Sequence, residues 1–211
     1  MNPGWWAAGL AVLWAVGAPW LGGTRPWTRG SRLAASGLVG GAVWGTVALL
    51  ASAKPMVHGL SGGGEVAGQA AGSAIAVLWL SVAVIDLREQ VIPNRLVLAS
   101  MVAGAGWTWV RGHHVIGHLV AGAVIGISFA LISRFSRGGL GMGDAKFSGA
   151  VGTALGWQSG FWALSLGAWS AGLYALASML VRRPRRRFAL GPFLAAGGFL
   201  AWLAPAAHLW H

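Results

Sequence analysis

The chain contains no cysteine, which excludes disulfides, thiol catalysis and cysteine zinc sites and leaves the redox compartment open. Acids are nearly absent as well: Glu65, Asp86, Glu89 and Asp144 are the only four among 211 residues. Charged side chains of either sign make up 9% of the chain, against about 25% in a water-soluble domain. That scarcity excludes a soluble globule, because most of this surface cannot face water. A triple glycine at 62–64 is followed by no Gly-Lys-Ser/Thr, so it is not a phosphate cradle. The net charge of +11 does not by itself separate a nucleic-acid footprint from the arginine bias of cytoplasmic loops. In so apolar a chain the second reading is preferred, and no nucleic-acid partner is expected.

What the chain has instead is hydrophobic length. Apolar residues make up 56%, mean hydropathy is +0.65, and 35 glycines suit close helix packing in lipid. Eight apolar runs follow one another at 5–21, 33–53, 67–85, 93–110, 115–133, 145–156, 160–181 and 188–207. Ser36, Gly37, Gly40 and Gly41 form one small-residue stripe, and Gly122 and Gly126 another. No basic residue precedes the first run, so a retained helix is expected there rather than a cleaved signal. The sixth run is the ambiguous one: twelve residues at about 1.5 Å each reach only about 18 Å, short of a core of about 30 Å.

Charge placement decides it. If 145–156 crosses, Arg25, Arg29, Arg32, Arg88, Arg95, Arg134, Arg137, Lys146 and the five arginines of 182–187 share one side, thirteen of fifteen basic residues, with Lys54 and Arg111 opposite. If it does not, the five-arginine cluster moves outside, against the positive-inside tendency. The expected fold is therefore all-α, a polytopic membrane bundle of eight transmembrane helices with both termini outside and the sixth short or tilted. Residues 1–66 supply two helices and an outer loop, and 67–211 a six-helix core. Trp5, Trp6, Trp20, Trp27, Trp107, Trp109, Trp157 and Trp210 fall near run ends, as an interfacial belt does.

In this topology Asp86 and Asp144 lie at the same, cytoplasmic level. Acids near the membrane face protein or water rather than lipid, and two carboxylates in a low-dielectric cleft share a proton. One ionised and one protonated carboxyl can activate water against a peptide carbonyl. Gly141 and Gly143 let the backbone bend sharply and let an extended substrate approach. Other readings stand beside this one. Asp144 would serve equally as the N-cap of the short sixth helix, Asp86 as a counter-charge to Arg88 or Arg95, and both together as proton or ion carriers in a small transporter. The residues alone leave peptidase and carrier level.

Ile85-Asp86-Leu87 with Val91-Ile92-Pro93-Asn94 resembles the first active-site segment of the type IV prepilin peptidases. Gly141-Met142-Gly143-Asp144-Ala145-Lys146-Phe147 is similar to that family's second segment, the G-x-G-D-x-K pattern of the GxGD membrane aspartic peptidases. Ala154-Leu155-Gly156-Trp157-Gln158 and Ala189-Leu190-Gly191-Pro192-Phe193-Leu194-Ala195 resemble two further segments, in the family's order. The resemblance implies an aspartic endopeptidase of the plasma membrane that cuts prepilin-like substrates at the cytoplasmic face, after a short basic leader. It makes Asp86 and Asp144 the catalytic pair, with Gly141, Gly143, Lys146, Gly191 and Pro192 as motif support and no metal or cofactor. Lys146 would hold its loop by a salt bridge, touch substrate backbone, or snorkel to the interface. Larger members carry Cys-x-x-Cys motifs and methylate the processed pilin; with no cysteine, this chain resembles a compact form without that activity. His113, His114 and His118 include an i, i+4 pair with metal-ligand spacing but lie away from both aspartates, so interface histidines are expected.

Overall fold

A computed structural model describes residues 62–135, 140–180 and 189–203. The expected helices over 5–21 and 33–53, their small-residue stripe, both termini and the arginine cluster of 182–187 lie outside these residues. Every described element is helical: α1 (Gly62–Glu89), α2 (Asn94–Val110), α3 (Val115–Phe135), α4 (Met142–Leu180) and α5 (Gly191–Leu203). Three are long and apolar enough to cross a membrane, at Ala70–Glu89, Val115–Phe135 and Met142–Leu180, and Gly191–Trp202 is a shorter apolar helix.

Boundaries differ from the runs where local chemistry overrides hydropathy. α1 starts at Gly62, inside the stretch expected as loop, and continues through Asp86 to Glu89. Gln90 then adopts the left-handed conformation (φ 55°) that terminates many helices, and its N–H donates to Asp86 O at 2.9 Å. Pro93 stands just ahead of α2 as its N-cap (φ −65°, ψ 130°), and its carbonyl accepts from the N–H of Leu96 and Val97. Four residues, 90–93, therefore reverse the chain between α1 and α2.

α4 is two helices joined at Gly156, whose φ of 76° and ψ of −166° only glycine adopts readily. In one straight helix Gly152 and Gly160 would stand about 12 Å apart. Here a Cβ on Gly160 would lie 3.3 Å from Gly152 Cα, so the second arm (157–180) folds back along the first (142–155). The sixth run is thus a separate, short helical segment and not merely the start of one long helix. The break frees the Thr153 carbonyl from its helical donor, and His118 Nδ1 donates to it at 3.2 Å.

Glycines let these arms close up. Gly122 and Gly126 of α3 face Gly149 of the first arm, where a Cβ on Gly149 would lie 3.1 Å from Gly122 O and 3.3 Å from Gly126 Cα. This is the small-residue pair expected from the sequence, and no larger side chain fits it. Away from that seam α3 exposes Leu119, Val120, Val124, Ile127, Leu131 and Ile132, a face suited to lipid. Inside, Trp79 packs edge-on against Phe147 (6.3 Å) and Phe199 (5.6 Å), with Gly198 making room for its ring. Trp107 corrects one expectation: it stacks edge-on with Trp202 at 5.7 Å and is buried, whereas Trp109 and Trp157 are exposed as belt residues are. A sequence window places Trp107 near a helix end but does not say which way it faces.

Candidate active site

Asp86 sits in the last turn of α1, only 4% exposed, so its carboxylate needs a buried partner. That partner lies 105 residues further along: the Gly191 N–H donates to Asp86 Oδ2 at 2.8 Å. Gly191 opens α5, whose first N–H groups have no acceptor within the helix and whose dipole favours a negative charge. Only glycine fits, because a Cβ there would stand 2.8 Å from Asp86 Oδ2 and 3.1 Å from its Cγ. Pro192 follows in the first turn, where a missing N–H costs nothing. The turn closes through the N–H of Phe193 and Leu194 onto Leu190 O at 3.0 and 3.1 Å.

Asp144 lies within the first turn of α4 and is 9% exposed. The expected N-cap role shifts, because the helix starts at Met142, ahead of the aspartate. Instead the carboxylate reaches back toward the Gly141 backbone N–H, as the first-turn acid of a capping box does. A Cβ at Gly141 would lie 2.8 Å from Asp144 Oδ2. The other oxygen, Oδ1, is buried with no hydrogen-bond partner among the described residues. Gly143 packs onto the turn before α2, where its Cβ would meet Ile92 Cβ at 3.1 Å, so the two loops touch.

The result is one cavity of about 500 Å³ lined by Asp86 and Asp144 together with Gln90 to Asn94, Gly141 to Gly143 and Lys146. The carboxylates come from different helices and are near enough to interact electrostatically. Lys146 Nζ donates to Asn94 Oδ1 at 2.9 Å, so what holds the ammonium here is a neutral amide. This bond ties the start of α4 to the start of α2. Asn94 and Lys146 also line a second, apolar groove of about 460 Å³ between α2 and α3, with Val97, Leu98, Met101 and Ile127 along it. The cavity and the groove therefore meet at this pair.

Gln90 is the cavity residue that single-residue reasoning passes over, since nothing in its type signals a left-handed backbone. Its position directly after a helix and before an Ile-Pro is the only hint. The histidines have another place. His118 supports the break at Gly156, with its ring 3.0 Å from where a Gly156 Cβ would be, and His113 stacks against it at 5.7 Å. Burial first, and then the Arg111 charge, push the His113 imidazole below its usual range. Among the described residues no three histidine, cysteine or acidic side chains converge as a metal site would need.

Residues 73–176 match the model of the Type IV leader peptidase family. The prepilin leader peptidase/N-methyltransferase of Escherichia coli (strain K12) is 32% identical over 137 residues, covering 59% of this chain and 61% of the relative. Proteins of the same name from Bacillus subtilis (strain 168) and Aeromonas salmonicida (strain A449) are 31% and 29% identical over 140 and 141 residues. They share 60% and 62% of this chain, and 52% and 48% of their own length. The chain thus spans about half to three-fifths of these relatives. No solved structure matches.

Proposed function

Because the chain belongs to the type IV leader peptidase family, we propose that it is a membrane aspartic endopeptidase that removes short basic leaders from prepilin-like proteins. The observation that carries this reading is the single cavity holding both buried aspartates of an otherwise acid-poor chain. Two carboxyls facing one space can hold a water between them. The ionised one takes a proton from that water as its oxygen attacks the scissile carbonyl carbon, and the protonated one donates to the carbonyl oxygen. The tetrahedral adduct collapses as the first carboxyl returns its proton to the leaving nitrogen and the second recovers its own. Attack is direct and leaves no covalent enzyme intermediate.

Access supports the same substrate class. The apolar groove between α2 and α3 opens laterally and meets the cavity at Asn94 and Lys146, which suits an apolar substrate helix that lies alongside while its leader enters. Arg88, Arg95, Arg134 and Lys146 sit at helix ends on the dyad side and Arg111 at the opposite end, which supports a cytoplasmic cavity. The absence of cysteine supports a form without the methylating region. A carrier using the same acids finds no support in the family match.

The test is cleavage of a prepilin by purified enzyme in detergent. Asp86→Asn and Asp144→Asn are each expected to lower the rate at least about 100-fold, the contribution of a lost general acid or base. Undiminished cleavage by either variant would remove that aspartate from the mechanism, and no cleavage by the unaltered protein would return the carrier to consideration.

A further inference from the structure

Two aspartates in one cavity do not by themselves say which holds the proton, and the two carboxyls here are not equivalent. Asp86 Oδ2 receives the Gly191 N–H at 2.8 Å, from the first residue of a helix whose dipole favours an anion. A proton placed on that oxygen would set an O–H against an N–H. Asp144 also lies at a helix start, beside the Gly141 N–H, but its Oδ1 is buried without a donor among the described residues. An ionised oxygen left so is costly, whereas a protonated Oδ1 carries no charge to be stripped of its solvation. Resting on the peptidase reading above, the geometry points to Asp144 as the proton-bearing acid and Asp86 as the ionised base, with Gly191 as the residue that positions and holds the charge on Asp86.

The proton inventory then closes. Asp86 takes the water proton and passes it to the departing amine, while Asp144 gives its proton to the carbonyl oxygen and regains one from the adduct. The charged groups lining the cavity are Asp86, Asp144 and the Lys146 ammonium, which is engaged by Asn94. Arg88 and Glu89 follow on α1, and Arg95 lies near the start of α2. None of these donates to Asp144 Oδ1.

Asp86 and Asp144 are the only aspartates in the chain, so selective carbon-13 labelling of aspartate yields two side-chain carboxyl resonances. At neutral pH one is expected at the protonated position and one at the ionised position, with the protonated one lost in Asp144→Glu. The reverse assignment, or two ionised resonances, overturns the inference. A kinetic arm reads Gly191 itself. The acid limb of the kcat/KM profile reports the base, so Gly191→Ala is expected to move that limb up by about one pH unit or more and leave the alkaline limb in place. Movement of the alkaline limb instead, or of neither, overturns the role given to Gly191. The labelled spectra need no turnover, so they test the proton's location even if no prepilin is cleaved, an outcome that would count against the peptidase reading alone.

Discussion

Lys146 is the residue whose chemistry changes most once its surroundings are known. It is a tie between two helix starts, held by the Asn94 amide, at the mouth shared by the cavity and the groove. Lys146→Met keeps the stem and removes the donor. It should lower kcat/KM on a membrane-borne prepilin about tenfold or more, the effect of losing one charge-assisted hydrogen bond, and Lys146→Arg should recover part of it. Gln90 makes a second residue-scale prediction. Its φ of 55° is tolerable for an unbranched side chain and poor for a β-branched one. Gln90→Val should therefore destabilise the protein by about 1–2 kcal/mol in thermal unfolding, whereas Gln90→Gly should be close to neutral.

Among elements, the broken α4 decides whether a site forms at all. Its first arm carries Asp144 and is short, and the turn at Gly156 lets the second arm run back beside it and meet α5. Gly156→Ala would place a Cβ 3.0 Å from the His118 ring on a backbone that L-residues avoid. A loss of about 1–3 kcal/mol is expected, read as a lowered unfolding temperature, with cleavage falling in step. Much of this level is legible in the sequence. The apolar runs foretell the described helices to within several residues, Gly122 and Gly126 announce their seam, and the sixth run reads as a piece of its own because the arginines around it favour a crossing there. The site is legible only in part. Asp86 and Asp144 stand out because acids are scarce, but local pattern cannot show that Gly191 grips Asp86 from 105 residues away. Nor can it show that one oxygen of Asp144 is capped and the other left bare, since both depend on how distant helices meet. Trp107 departs from the expected belt for the same reason, because position along a helix does not give its azimuth.

At the scale of the whole molecule, charge separates the two ends. The turn before α2 and the start of α4 lie at the end with the cavity, and the 111–114 turn lies at the other. With no native cysteine, single replacements report this directly. A membrane-impermeant thiol reagent applied to intact cells should label His114→Cys and should reach Val91→Cys only after permeabilisation. Labelling of both from the same side would overturn the proposed orientation. The grip of Gly191 on Asp86 has a further consequence for anyone who builds with this protein. The site is completed by one N–H that arrives with α5, 105 residues beyond the carboxylate it holds. Cut the polypeptide within 181–188 and the two pieces become complementary halves, neither with a finished site. Their reunion in a membrane should switch the proposed hydrolysis on, which would make the protein a reporter of whatever brings the halves together.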